Sequence, residues 1–233
     1  MEKKSFKKYF TQTKKLLYAG IGVFAAGFLL FLTLYFGIIR SFDLYQAAWL
    51  IMVAGIVVIM CHFTIRVRDG AVDEYAATFH KELENQLDEF VNESEKHKKV
   101  NRVFNYTSGG YALWDDDVKI TVFGTDNTPR CEIYGGGALT YTPDTLYAVA
   151  GNIDLITGDV KTSRFSVSLA DVKDVKTTDK SYTKEVKKKN KYVESFIAEI
   201  ITDNGSFSFT VHPDAMTDEA VEKIKRAADS KKG

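Results

Sequence analysis

Hydrophobic and polar positions divide the chain into three regimes. Residues 16–39, LLYAGIGVFAAGFLLFLTLYFGII, contain no charged side chain, and residues 47–65, AAWLIMVAGIVVIMCHFTI, have only His62 and Thr64 as polar members. A bilayer's hydrocarbon core is about 30 Å thick and a helix rises about 1.5 Å per residue, so about 20 apolar residues cross it. Both runs reach that length, and the joint 40–46 makes them a transmembrane hairpin. From 72 to 98 the period becomes 3.6. Val72, Tyr75, Ala76, Phe79, Leu83, Leu87, Phe90 and Val91 recur in steps of one, three and four among Glu, Lys, Gln and Asp, which predicts an amphipathic connecting helix.

After residue 100 the period falls to two. Phe165, Val167 and Leu169, and again Phe207, Phe209 and Val211, alternate with polar residues as half-buried strands do. Strands are predicted at 102–106, 110–114, 118–123, 131–134, 145–150, 163–169, 193–202 and 206–211. Asp203-Asn204-Gly205 predicts a hairpin with a type I′ turn, and 115–117 and 124–129 predict two further turns. Met216, Ala220, Val221, Ile224, Ala227 and Ala228 mark a final amphipathic helix, 217–229, entered after Pro213 and capped by Thr217 or Asp218. The expected architecture is α+β: a two-helix transmembrane hairpin at 16–65, a charged connecting helix at 66–99, and a β domain at 100–233. That domain is expected to be a bent, partly open antiparallel barrel closed by the C-terminal helix.

Charge adds orientation. Lys3, Lys4, Lys7, Lys8, Lys14 and Lys15 face one acid, Glu2, before the first run, and Arg66 and Arg68 follow the second. The positive-inside rule then places both ends in the cytosol and the joint outside. The first run is too long for a cleaved signal peptide's apolar region, so it is read as a retained span. Phe6, Tyr9 and Phe10 at helical spacing among Lys7 and Lys8 suit an interfacial anchor with rings at headgroup depth; the alternative is a disordered basic tail that only sets topology. Overall the chain has 31 basic and 31 acidic residues, a balance unlike that of a nucleic-acid-binding domain. Its two cysteines, Cys61 and Cys131, form no disulfide framework.

Four segments, ALTYTPDTLYAVAG from Ala138, RFSVSLADVKDVKTTD from Arg164, FIAEIITDNGSFSFTVHPDA from Phe196 and DEAVEKIKRAAD from Asp218, resemble the bacterial pleckstrin-homology-like domains of small membrane proteins. The resemblance covers Ala138 to Asp229. It implies a small antiparallel β barrel with a terminal helix, behind one or two spans, serving as a binding module. The long charged helix and the extra strands from Val100 to Tyr134 depart from that pattern.

Candidate chemistry is sparse. Asp115, Asp116 and Asp117 lack the ligand spacing of a calcium loop. Gly135-Gly136-Gly137 has no following Lys-Ser or Lys-Thr, so it reads as a bulge or kink in a sheet rather than a phosphate loop. The four histidines show no metal-ligand spacing. Within the first span Gly22 and Ala26, with Gly20, Ala25 and Gly27, predict a close-packed face against Ala54 and Gly55. No ionisable side chain stands at mid-span, which argues for an anchor over an ion path. The basic stretch Lys184, Lys187, Lys188, Lys189 and Lys191 is either a solvated hairpin tip or the candidate contact for anionic lipid or an acidic partner.

The stripe Val72, Tyr75, Phe79, Leu83, Leu87 and Phe90 either packs on the chain's own domain or pairs with a second copy. Pairing is the expectation, because a thin stripe on a charged helix is readily buried against its like. The functional expectation is a non-enzymatic, plasma-membrane scaffold without cofactor, metal, nucleic acid or small-molecule substrate. Its partner is a membrane protein or a second copy of itself. Alternatives are a regulatory subunit of a transporter or envelope-stress system, and anionic-lipid sensing through the lysines.

Overall fold

The computed structural model describes residues 3–11, 14–37, 42–65, 67–95, 102–113, 118, 120–186 and 189–232, apart from the side chains at 65, 184, 186 and 189. The chain divides into two compact units: Thr11–Arg68, and Met1–Phe10 together with Asp69–Gly233.

The first unit is a helical hairpin. Helix α1 (Lys7–Phe10) belongs to the other unit; here α2 (Lys15–Tyr35) packs along α3 (Phe42–Ile65). Both are long and apolar enough to cross a membrane. Their outer surface is apolar as well: Leu29 is 63% exposed, Leu50 70% and Met60 63%. Close approach comes from Gly20, Gly27 and Gly55. A Cβ on Gly55 would lie 2.6 Å from the Phe24 nitrogen, and one on Gly27 2.9 Å from the Met52 nitrogen. Gly22 has nothing within 4 Å and Ala54 is exposed; of the expected small-residue face, Gly20 meets Gly55 and Ile59, and Gly27 meets Met52, while Gly22 and Ala54 take no part.

The second unit is a layered α+β body. One sheet has the order β1 (Phe104–Tyr111), β4 (Ile133–Tyr141), β5 (Thr145–Asp154), β6 (Val160–Ser168). The other is β11 (Gly205–Val211), β10 (Phe196–Thr202), β7 (Val172–Asp179). Two hairpins stand apart, β2 (Thr121–Phe123) with β3 (Pro129–Cys131), and β8 (Tyr182–Val186) with β9 (Lys189–Val193). Every pairing is antiparallel. Among the described residues the sheets do not close into a barrel. A single 3-10 turn, Leu169–Asp171, carries the chain from β6 to β7 and from one sheet to the other. The main core lies between the sheets and beneath α5 (Ala215–Lys232), with Leu146, Leu169, Ile200, Phe209 and Ile224 each no more than 4% exposed.

Helix α4 (Asp69–Ser94) covers the opposite face of the four-stranded sheet, over β4, β5 and β1. Val72, Phe79 and Leu83 are fully buried, Leu87 is 3% exposed and Tyr75 6%; Phe90, half-buried, meets Tyr147 edge to face. This corrects the expectation that a second copy covers the stripe. The chain's own sheet does so, because glycines at the contact remove the side chains that would hold the helix away. A Cβ on Gly136 would meet Leu83 at 3.2 Å, and one on Gly151 would meet Phe79 at 3.2 Å. On the other face a Cβ on Gly137 would lie 2.4 Å from the Phe209 ring. The three consecutive glycines are therefore not a bulge. Pairing from Ile133↔Asp154 to Tyr141↔Leu146 is unbroken, and the glycines thin β4 so that a helix and a sheet approach it from opposite sides.

Two local expectations change. The β10–β11 hairpin lies at the predicted place, but its loop residues are Asp203 and Asn204 and only Gly205 has positive φ (139°), so the turn is not type I′. Helix α5 is capped by Asp214, whose Oδ1 accepts from the Thr217 nitrogen at 2.8 Å. Thr217 itself is buried, hydrogen-bonded to Tyr106 and to the His212 carbonyl.

Candidate functional site: a tyrosine–arginine network and its groove

The segment before the hairpin folds onto the second unit. The Phe6 nitrogen donates to the Leu155 carbonyl at 2.7 Å, its ring lies 5.1 Å from that of Tyr75, and Lys3 pairs with Asp159 at 2.6 Å. Tyr9 donates to Asp69 at 2.8 Å. Phe6, Tyr9 and Phe10 are all buried, while Lys7 and Lys8 are exposed. The three rings are thus packed on protein, which corrects their reading as a membrane-interface anchor: α4 offers an apolar cover for them within the same folded body.

One turn beyond Asp69, Asp73 accepts from Arg130 twice, at 2.8 and 2.6 Å, and from Tyr111 at 2.6 Å. Arg130 sits on β3 and is 3% exposed. Its remaining donors reach Asp126 at 2.9 and 2.8 Å and the Thr128 carbonyl at 3.3 Å. Asn127 (φ 66°) turns the chain so that Asp126 and Arg130 face each other. Thr125 donates its nitrogen to Asp69 at 2.7 Å, tying the β2–β3 turn to the start of α4. Beneath, Tyr134 meets His80 Nε2 at 3.0 Å and crosses Tyr111 edge to face at 5.3 Å.

Electrostatics follow from this geometry. The hydrogen bonds from Arg130 hold the Asp126 carboxyl well below its usual range, and those to Asp73 and then Asp126 hold the guanidinium charged. Burial, then the bond to an aspartate, pushes the Tyr9 and Tyr111 phenols up; burial and the charge of Asp73 push Tyr134 up to about 12. Burial lowers the His80 pKa, partly offset by Glu84. These tyrosines are neutral hydrogen-bond donors at physiological pH and unsuited to act as bases. Among the described residues no group of three His, Cys, Asp or Glu side chains could hold a metal.

Beside the network lies a groove of about 690 Å³. Its lining includes Asp73, Asp126, Arg130, Gly110, Tyr192 and Glu194.

The basic stretch is only partly placed. Lys184 and Lys189 lie on β8 and β9, with side chains outside the described ones, and Lys187 and Lys188 lie outside the described residues, as do Asp115, Asp116 and Asp117. Lys191 is engaged within the chain. Its ammonium stands 4.2 Å from the Phe123 ring centre and donates to Asn127. Sequence reasoning missed Arg130 and its aspartates. The one available signal was the i, i+4 pair Asp69 and Asp73 beside an otherwise apolar stripe.

No family model matches the chain, and no curated protein does.

Proposed function

We propose that the protein is a membrane-anchored, non-enzymatic interaction protein. Its hairpin crosses the membrane twice, and its folded body is a pleckstrin-homology-like module on the cytosolic side that binds a partner protein. One observation carries the topology. Residues on both flanks of the hairpin, Tyr9 and Asp69, are hydrogen-bonded within one folded body, so the chain leaves and re-enters on the same side of any membrane it spans. The lysine-rich start makes that side the cytosol. Exposed Tyr35, Phe36, Phe42 and Trp49 gather near the joint, as aromatic rings do at the far water interface of a spanning hairpin.

The module reading is supported by strand layout. Four strands and three strands form two sheets, and a helix follows the last strand, as in the pleckstrin-homology architecture; β2–β3 and β8–β9 are hairpins added to that plan. The interaction reading is supported by a groove beside a network built of neutral tyrosines and paired charges, which suits recognition more than bond-breaking.

The test uses Cys61→Ser full-length protein, in which Cys131 is fully buried. Cysteines at Lys8, Phe42 and Asp229 are treated with an impermeant maleimide. Positions 8 and 229 are expected to react only in inverted vesicles and position 42 only in intact cells. Labelling of 8 or 229 from outside overturns the topology. Cross-linking capture from native membranes is expected to yield a partner held by the folded body, and its failure overturns the interaction reading.

A further inference from the structure

The groove beside Arg130 combines three features. First, three carboxylates line it, Asp73, Asp126 and Glu194, against one guanidinium, with His212 the other basic lining residue and the Lys191 ammonium held at the rim on Asn127. Second, that guanidinium has nothing left to offer. Its five N–H groups match the five hydrogen bonds to Asp73, Asp126 and the Thr128 carbonyl, so it does not recruit a phosphate or carboxylate from outside. Third, aromatic faces share the lining: Tyr111, Tyr134, Phe196, and Tyr192 at 60% exposure. Excess carboxylate beside aromatic rings is complementary to a cation, through Coulomb attraction and through the negative ring faces.

The position favours an extended ligand. The groove passes Gly109, Gly110 and Tyr111, at the end of β1, the outer strand of its sheet. Strand edges next to pockets recognise extended chains, with the main chain supplying affinity and the pockets selecting side chains. The volume, about 690 Å³, lies within the range of ligand-holding clefts.

We propose that this groove is a docking site for an extended arginine- or lysine-bearing segment of a partner protein. The proposal rests on the interaction reading above and names the partner chemistry that reading leaves open. Charge separates it from the alternatives: an acidic peptide or a lipid phosphate would meet Glu194, which has no ion-pair partner among the described residues, and a guanidinium already saturated. The groove wall is also the β2–β3 turn, which Thr125 ties to Asp69, so an occupant would bear on the hydrogen bonds that join the two segments flanking the hairpin in sequence.

The experiment uses the full chain in lipid nanodiscs and fluorescence anisotropy of two short labelled peptides, one alternating arginine with serine and one alternating glutamate with serine. The arginine peptide is expected to bind with an affinity that falls as salt is raised. Gly110→Leu fills the groove. A Cβ there makes only ordinary contacts, 3.5 Å to Thr210 Cγ2 and 3.8 Å to the Val211 carbonyl, so the fold is expected to survive. It should weaken binding by about tenfold or more, as should Glu194→Lys at an exposed position. Should Gly110→Leu unfold early, Glu194→Lys decides alone. Equal binding of the glutamate peptide, or arginine-peptide binding unchanged by Glu194→Lys, overturns the proposal. Self-association that Gly110→Leu abolishes would assign the groove to a second copy and overturn it too. Capture of one membrane partner by wild type and both variants alike removes the groove and leaves the interaction reading intact. Groove-dependent peptide binding without any captured partner does the reverse.

Discussion

The Tyr9 phenol donates to the Asp69 carboxylate across 2.8 Å, although sixty residues and the whole apolar hairpin separate the two in sequence. Thr125 donates to the same carboxylate from the β2–β3 turn, so three remote segments meet at one side chain. The segments before and after the hairpin thereby belong to one folded body.

Removing this clasp should loosen the N-terminal segment first. Tyr9→Phe should lower the stability of the folded body by about 1 kcal/mol, the usual net worth of one hydrogen bond. Phe6→Ala should cost more, about 3 kcal/mol, because a buried ring leaves a cavity. Urea unfolding followed by circular dichroism measures both. Amide exchange gives a sharper check: the Phe6 N–H, bonded to Leu155, should be protected, and coil-like exchange there would refute a docked segment.

Arg130 should not be replaceable by a residue of similar length. Arg130→Lys keeps one charge but loses the fork that serves two carboxylates, and Arg130→Leu leaves Asp73 and Asp126 uncompensated. The expected loss for Leu is about 2 kcal/mol, below that of a fully buried pair because both aspartates stay more than 40% exposed and can rehydrate. Lys should fall between Leu and wild type. Thermal melts of the three proteins rank them.

Glycines in the hairpin should respond in opposite directions. Gly22→Ala meets nothing within 4 Å and gains up to about 1 kcal/mol of helix propensity, so it should be neutral or stabilising. Gly55→Ala drives a methyl to 2.6 Å from the Phe24 backbone and should separate the helices. Disulfide trapping or energy transfer between labels on α2 and α3 reads the difference.

His80 makes stability depend on pH. Its pKa in the folded body is below the ordinary 6.5, because burial disfavours the imidazolium. The unfolded chain binds the proton more readily, so this contribution is fully present above pH 6.5 and is lost as pH falls below it. His80→Gln, which cannot titrate, should flatten that part of the stability profile. An unchanged slope would mean that His80 is solvated and not held against Tyr134.

Helix α4 marks the border of what was legible. Its stripe follows from spacing, since Val72, Phe79, Leu83 and Leu87 recur at helical steps whatever lies against them, while its bounds, Asp69–Ser94, differ from the expected 72–98. What covers them does not follow, because a stripe on a charged helix suits a sheet or a second helix equally. Gly136 and Gly151 decided it in favour of the sheet, and glycines within a strand do not announce the helix they admit. The strand β7 was hidden for a similar reason: VKDVKTTD alternates weakly, and its pairing with β10 reveals it.

The sequence by itself determined the apolar hairpin, the two amphipathic helices and strands β5, β6, β10 and β11, because length, hydropathy and period are local sums along the chain. The tertiary structure alone decided the docking of Phe6 and Tyr9, the saturation of Arg130 and the groove beside it. Those depend on hydrogen bonds that join Tyr9 to Asp69 and Asp73 to Arg130, residues 60 and 57 positions apart. Single polar residues at such separations carry no periodic signal, and only the packed fold brings them within bonding distance.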